Sequence, residues 1–238
     1  MSKAAPEERR FETRDALNAA LAANAVAQLT ADVTARGGAS LVASGGTTPG
    51  PLYHLMSAMA APWERVTVTL ADERWVGPDS PMSTARLIRA TLIRDRASRA
   101  RFVGLKTAQA EPELAEAEVD AALRAIVRPF DLTLLGLGEN GHTASLFPHG
   151  QGLAAALNLA DPALARAIRP VEPDDPSPPR MSMSLAAILD SRRIVFLFTG
   201  EAKWAVYQRA LEPGDVASMP VRAVLHQTRT PVEVWWAP

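Results

Sequence analysis

The chain has 238 residues, of which 47% are hydrophobic, with a mean hydropathy of −0.01 and a formal net charge of −1. This length can bury a substantial core, and the near-neutral balance gives no long-range attraction to nucleic acids or anionic membranes. The absence of cysteine excludes disulfides, thiolate metal ligands and a cysteine nucleophile. No apolar run reaches the roughly 18 residues of a membrane span, and residues 1–12 do not resemble a secretory signal, so we expect a cytoplasmic globular protein.

Strand-like and helical segments alternate along most of the chain. Strands are predicted at residues 39–43, 66–70, 101–103, 130–135, 194–199 and 232–236. Helices are predicted at residues 13–36, 51–59, 83–93, 111–127, 153–167, 181–189 and 202–211, and the proline-rich residues 169–179 are predicted to form a loop. This alternation predicts one α/β domain over residues 1–238, with a mainly parallel, Rossmann-like open sheet and helices on both faces.

The first candidate site is the loop that follows the strand at residues 39–43. Its sequence is Ser44-Gly45-Gly46-Thr47-Thr48-Pro49, with Thr48 as a candidate N-cap and Pro49 as the first helical residue. Two glycines and two threonines offer donors that suit a phosphate at a helix N-terminus. An ordinary tight turn explains this hexapeptide equally well. It is not a P-loop, because no Gly-Lys-Ser/Thr follows at the required spacing.

A charged triplet, Asp72-Glu73-Arg74, follows the strand at residues 66–70. Taken alone, such a triplet is typical of a solvated turn. In an open parallel sheet, however, ligands bind beyond the carboxyl ends of the strands. This position brings Arg74 to the ligand crevice, where its guanidinium can pair with a phosphate or carboxylate.

The most informative segment runs from Gly136 to Pro148, after the strand at residues 130–135, and it ends in residues able to open a helix. His142 lies among its glycines, where uncovered N–H groups favour an anion and the imidazole can act as a general base. A capping or buried structural histidine is the alternative. The spacing Gly136-x-Gly138-x-x-Gly141 also matches a dinucleotide fingerprint, but the following region lacks the strand with an acid that this fingerprint requires.

Two further cations, Arg180 and Lys203, follow the proline-rich loop and the strand at residues 194–199. Each alone is more typical of a protein surface. Together with Arg74 and the Ser44–Pro49 loop, they predict a compact site for a phosphate monoester. The chain contains neither G-x-S-x-G nor H-E-x-x-H, which argues against a serine hydrolase or a zinc protease.

In their order along the chain, these motifs resemble the 6-phosphogluconolactonase family, within the wider glucosamine-6-phosphate isomerase/deaminase superfamily. The resemblance covers nearly the whole chain and includes Pro179-Arg180-Met181-Ser182, Gly200-Glu201-Ala202-Lys203, Pro220–Leu225 and Trp236-Ala237-Pro238. It implies hydrolysis of 6-phospho-D-glucono-1,5-lactone at a site without metal or cofactor. The implied partner is this small molecule alone, with no nucleic acid and no membrane, in a monomer or small homo-oligomer.

The resemblance also implies a role for each site residue. His142 would be the general base, with Asp72 and Asn140 beside it in the catalytic group. The substrate and its phosphate would be held by loop donors and three cations: Gly45, Gly46, Thr47, Thr48, Arg74, Arg180 and Lys203.

The chain departs from the family pattern at two positions. Asn140 stands where the family usually has an aspartate two residues before the histidine, so we expect His142 to be a weaker base. Glu139 supplying the missing charge is a hypothesis. Ser83-Thr84 stands where the family typically shows Ser-Asn, which leaves the substrate-side role of this segment open.

Two functions other than a lactonase occur on related sequences, and the residues of this chain bear on both. The deaminase branch carries a glutamate in an H-x-x-x-N-E-P arrangement and an Asp-Glu-Tyr triplet, whereas this chain has Ser145-Leu146-Phe147-Pro148 and Asp72-Glu73-Arg74. A sugar-phosphate-sensing module would need a DNA-binding domain, and the segment before Ala39 is neither long nor basic enough for one. Both comparisons favour the lactonase.

Overall fold

The computed structural model describes residues 6–171 and 177–238, and its elements alternate as the sequence predicts. The strands are β1 (Glu7–Arg10), β2 (Ala39–Ala43), β3 (Val66–Leu70), β4 (Asp72–Arg74), β5 (Arg101–Phe102), β6 (Leu132–Leu135), β7 (Ala165–Ile168), β8 (Arg180–Met183), β9 (Ile194–Thr199) and β10 (Val232–Ala237). The α-helices are α1 (Arg14–Arg36), α2 (Gly50–Ala58), α3 (Thr84–Thr91), α4 (Glu116–Arg124), α5 (Leu153–Leu157), α6 (Leu185–Leu189), α7 (Glu201–Leu211) and α8 (Val221–Leu225).

The central sheet of the described chain has seven strands in the order β1-β10-β9-β6-β2-β3-β5. Every neighbouring pair in it is parallel. Helices pack around this sheet, which confirms the predicted α/β class with a mainly parallel sheet. None of the helices in the described ranges combines the length and the apolar character needed to cross a bilayer.

Helix α1 shows how local sequence sets an element. The Thr13 side chain accepts a hydrogen bond from the backbone N–H of Ala16 at 3.2 Å and caps the start of the helix. Gly37 ends it in the left-handed conformation, with φ of 78°. Between these caps, apolar residues spaced four apart, Leu17, Leu21, Ala25 and Leu29, are buried against the core.

The strand order places a topological switch point between β2 and β6. From β2 the chain continues outward through β3 and β5, whereas β6 lies on the other side of β2 and leads toward β9 and β10. Loops that leave the carboxyl ends of two such neighbouring strands diverge and open a crevice. Those two loops are residues 44–49 and residues 136–148, which are the two glycine-rich segments of the sequence.

A second, antiparallel sheet of strands β4, β8 and β7 corrects several predictions. Residues 153–167 were predicted as one helix, but α5 ends at Leu157, Pro162 interrupts the segment and residues 165–168 form β7. The predicted helix at 181–189 was wrong in its first half, because β8 precedes a helix that Ser184 caps. The triplet at residues 72–74 is a strand of this sheet and not a turn.

Smaller differences concern the ends of elements. Helix α2 begins at Gly50 after Pro49, without a side-chain cap, so Thr48 is not its N-cap. The segment from Gly136 to Pro148 opens no helix, and the next helix begins at Leu153. Residues 112–115 form a 3-10 turn before α4, and residues 7–10 add an unpredicted edge strand. Within the loop predicted at 169–179, residues 172–176 lie outside the described residues.

Candidate active site

A pocket of about 440 Å³ lies at the switch point, beyond the carboxyl ends of β2 and β6. It brings together residues that are far apart in sequence: Gly45, Gly46, Thr47, Thr48, Asp72, Arg74, His142, Arg180 and Lys203. The remaining predicted site residue, Asn140, is exposed and hydrogen-bonds to His142. Every candidate from the sequence therefore lies in this pocket or in contact with a residue that lines it.

The loop from Ser44 to Pro49 forms one wall of the pocket. Gly46 has a φ of 93°, a conformation that residues with a side chain rarely adopt. A Cβ on Gly45 would lie 2.8 Å from Thr84 Oγ1, so the loop packs directly on the start of α3. Thr84 is 1% exposed and supports the loop from behind, and it does not line the pocket.

Glycine is required at position 138 because the imidazole of His142 packs against its backbone. A Cβ on Gly138 would lie 2.1 Å from the ring atoms Cε1 and Nδ1 of His142. The backbone N–H of Gly138 also donates to the carbonyl of His142 at 2.9 Å, which closes the loop. Gly141 follows with a φ of 82°, where a Cβ would lie 2.5 Å from Met219. These close approaches fix where the imidazole lies.

Asn140 determines the tautomer of His142. Its Oδ1 accepts the backbone N–H of His142 at 3.2 Å and lies 2.6 Å from ring Nδ1. Because the atom that accepts this N–H must be the amide oxygen, the ring nitrogen facing it must carry the proton. Nε2 is then the nitrogen with the free lone pair, which is the basic atom of the neutral ring.

The surroundings of His142 keep its imidazole neutral at physiological pH. Burial lowers its pKa to about 4, and the charge of Asp72 opposes this shift. The positive charges of Lys203, Arg180 and Arg74 lower the pKa further. A neutral imidazole can accept a proton, so the site holds a base in its active form.

Asp72 is held by a buried network that joins three parts of the site. Ser145 Oγ donates a short hydrogen bond to Asp72 Oδ2, and the backbone N–H of Ser145 donates to Ser182 Oγ at 3.2 Å. Ser145 and Ser182 are fully buried and Asp72 is 8% exposed. The network ties β4 and β8 to the loop that carries His142. Apart from its place in the family motif, nothing in the sequence points to this role of Ser145.

Glu73, between the two pocket residues of its triplet, is a structural residue. Its carboxylate accepts the backbone N–H groups of Thr84 at 2.6 Å, Ala85 at 2.7 Å and Arg74 at 2.9 Å. Burial raises its pKa, and these hydrogen bonds oppose the shift. Glu73 therefore caps α3 and fixes β4 against it, which positions its neighbours Asp72 and Arg74.

The two arginines of the pocket lie side by side on the second sheet. Arg74 and Arg180 are directly opposite each other in the antiparallel pair of β4 and β8, so their side chains lie on the same face. Arg74 Nη1 donates to the carbonyl of Met82 at 2.9 Å, and Arg180 Nη1 donates to that of Pro178 at 2.7 Å. Opposed like charges are destabilising, and a bound anion would offset that cost.

Lys203 reaches the same pocket from the first turn of α7, after β9. Phe147, which the sequence did not single out, completes the wall: its ring centroid is 4.5 Å from that of His142 and 5.7 Å from the Arg180 guanidinium carbon. Within the described ranges, no group of three His, Cys, Asp or Glu side chains is arranged to hold a metal ion. The pocket thus combines a neutral imidazole, the carboxylates of Asp72 and Glu139, and three cations.

Comparison with known proteins agrees with this arrangement. The family model of glucosamine-6-phosphate isomerases/6-phosphogluconolactonases matches residues 12–236. A 6-phosphogluconolactonase of Mesorhizobium japonicum is 43% identical over 228 residues, which cover 96% of this chain and 94% of the relative. The structure of a 6-phosphogluconolactonase from Shewanella baltica has a TM-score of 0.94 at 43% identity, over 98% of both chains. The chain therefore belongs to the glucosamine-6-phosphate isomerase/6-phosphogluconolactonase family.

Within this family the relatives also indicate the branch. Several 6-phosphogluconolactonases are 36–43% identical over at least 92% of the chain, so the chain is an enzyme, a lactone hydrolase. The structure of a glucosamine-6-phosphate deaminase has a TM-score of 0.78 at 18% identity, over 97% of both chains. That likeness shows the fold alone, and a shared fold does not imply a shared function.

Proposed function

We propose that this enzyme hydrolyses 6-phospho-D-glucono-1,5-lactone to 6-phosphogluconate, the second step of the oxidative pentose phosphate pathway, with His142 as the general base. The observation that carries the proposal is the environment of His142. A neutral imidazole with its Nδ1 proton bound by Asn140 lines a pocket that also holds three cations. A base beside an anion-binding wall suits an ester substrate that carries a phosphate.

The phosphate would bind at the cationic side of the pocket. Gly45, Gly46, Thr47 and Thr48 line the pocket just before the N-terminus of α2, and their backbone N–H groups and hydroxyls would donate to the phosphate. Lys203 and Arg180 line the same pocket and add positive charge.

The chemical step follows from the tautomer. His142 Nε2 takes a proton from water while the water oxygen forms a bond to the lactone carbonyl carbon C1. The negative charge that develops on the carbonyl oxygen would be stabilised by the positive charge of Arg74, which lines the same pocket. When the bond from C1 to the ring oxygen breaks, the imidazolium returns its proton to that oxygen, and the product is a hydroxy acid. Asp72 stabilises the transient imidazolium and orients the substrate or the attacking water.

The rival functions lack support from the site. A deaminase of this superfamily needs the glutamate of its histidine motif, and here Phe147 and Pro148 occupy that region. For a sugar-phosphate sensor, a base held in its neutral, proton-accepting form has no evident use.

Three further proposals concern the domain organisation, the cellular location and the assembly of the enzyme. Residues 1–238 form one domain, which the continuous buried core of the described residues supports. The enzyme acts in the cytoplasm, where sugar phosphates are metabolised. It works as a monomer or small homo-oligomer without metal or cofactor, since every group that the mechanism uses comes from one chain.

The direct test is to add the enzyme to freshly generated 6-phosphogluconolactone and to glucosamine 6-phosphate in parallel. We expect acid release from the lactone well above the spontaneous rate and no ammonia release from the amino sugar. Ammonia release, or binding of both compounds without turnover, would replace the proposal by the deaminase or the sensor.

A further inference from the structure

The phenol of Tyr53 lies behind the pocket loop and takes no part in the mechanism above. Tyr53 belongs to α2 and is fully buried, and it does not line the pocket. Its hydroxyl accepts the backbone N–H of Ser44 at 2.9 Å and donates to the backbone carbonyl of the same residue at 2.9 Å. One side-chain oxygen thus satisfies both polar groups of one backbone residue.

Ser44 is the residue at which the chain leaves β2 and enters the pocket loop. It is only 5% exposed, so its backbone groups would have little access to water without the phenol. A buried backbone N–H or carbonyl without a hydrogen-bond partner costs folding free energy. The backbone position of Ser44 therefore depends on the Tyr53 hydroxyl.

The two hydrogen bonds close the pocket loop into a ring. Residues 45–49 are held at one end by β2 and at the other by α2, and Tyr53 links these two ends directly. Within this closed loop, Gly46 has a positive φ and Gly45 packs on Thr84, and both restrict the backbone conformation. A loop closed in this way presents its N–H groups without first having to be ordered by the ligand.

We propose that Tyr53 is a positioning residue that holds the Ser44–Pro49 loop in its anion-binding form and so sets the affinity for the phosphate without touching it. This inference rests on the proposed role of the loop in binding the substrate phosphate. The phenol must stay protonated to donate to the Ser44 carbonyl, and burial raises its pKa in support of this.

The substitution Tyr53→Phe tests the inference, because it removes one oxygen and keeps the ring. We expect KM for 6-phosphogluconolactone to rise about tenfold, corresponding to ~1.4 kcal/mol, with kcat nearly unchanged. Hydrolysis of unphosphorylated glucono-1,5-lactone should keep its kcat/KM, because that substrate does not use the phosphate site. An unchanged KM, or an equal loss for both lactones, would overturn the inference.

Tyr207→Phe is the matched control. Tyr207 is also buried and its hydroxyl donates to Glu8 at 3.1 Å, and neither residue lines the pocket. We expect Tyr207→Phe to leave both lactone activities unchanged. A rise in KM for the phosphorylated lactone in this variant as large as in Tyr53→Phe would show that loss of any buried phenol produces the effect, and would overturn the inference.

Binding of inorganic phosphate, measured by calorimetry, separates this inference from the proposed function. Phosphate binding that weakens in Tyr53→Phe supports the inference even if the wild type does not hydrolyse the lactone. Equal phosphate binding by both proteins overturns it even if the lactonase activity is present. If Tyr53→Phe does not fold, amide hydrogen exchange of the wild type tests the inference instead. We expect slow exchange of the Ser44 N–H, and fast exchange would contradict its hydrogen bond to Tyr53.

Discussion

Replacing Asn140 with aspartate restores a negative charge next to His142 and should move the acid limb of the pH–rate profile. In the wild type, an amide oxygen 2.6 Å from Nδ1 holds the ring without adding charge, and burial keeps the pKa of His142 at about 4. The neutral ring is the active base, so activity falls as the pH drops through this pKa. A carboxylate at the same place favours the imidazolium and raises the pKa.

The size of the shift can be bounded from the geometry. An opposite charge within hydrogen-bond distance typically shifts a pKa by roughly 1 to 3 units. Residue 140 is exposed, so solvent screens the new carboxylate and places the effect near the lower end, about 1 unit or ~1.4 kcal/mol. The acid limb of Asn140→Asp should therefore lie near pH 5, about one unit above that of the wild type.

An NMR titration of the His142 ring in the free enzyme measures this shift directly, and kcat/KM from pH 4 to 8 measures its effect on activity. Ionisation of the substrate phosphate is common to both proteins and cancels in the ratio of their profiles. Glu139→Gln is the matched control, since Glu139 is exposed and makes no hydrogen bond to the imidazole among the described residues. Identical acid limbs for wild type and Asn140→Asp would refute the account, and a downward shift in Glu139→Gln would assign the charge to Glu139.

Three further substitutions test the other parts of the site. Lys203→Ala should raise KM about tenfold with little change in kcat, because the variant loses attraction for the substrate phosphate. It should also raise the pKa of His142. A lower kcat at constant KM would instead assign Lys203 to the chemical step. Gly138→Ala should lower kcat at least tenfold, because its methyl group overlaps the His142 ring, and an unmoved His142 resonance would argue against this. Ser145→Ala should lower the free energy of unfolding in urea by about 1–3 kcal/mol, because Asp72 loses its hydrogen bond. It should also lower kcat several-fold, since Asp72 is then less well positioned. Wild-type stability and kcat in this variant would contradict the role given to Ser145.

The sequence was sufficient to predict the parallel sheet and to place the pocket, because both follow from local patterns. Apolar runs followed by glycine-rich or charged segments mark strand ends, and the carboxyl ends of parallel strands share one edge of the sheet. His142, Arg74 and Lys203 each follow such a strand, so their meeting in the pocket could be foreseen from their order along the chain.

The second sheet could not be predicted in the same way. Its strands are only three or four residues long, too short to leave a clear periodic pattern, and β4 pairs with β8 across more than a hundred residues. Glu73 shows the same limit: its hydrogen bonds to the backbone N–H groups of Thr84 and Ala85 arise only once α3 packs beside β4. The cross-strand pair of Arg74 and Arg180 depends on that same non-local pairing.

A comparison of wild type with His142→Ala tests whether His142 is the base of a lactone hydrolase. The measurement is kcat for freshly generated 6-phosphogluconolactone above the spontaneous background, with folding of both proteins checked by thermal unfolding. We expect fast wild-type turnover and a loss of about 10²–10⁴-fold in the variant. Turnover of folded His142→Ala within tenfold of the wild type would contradict the assignment of the base.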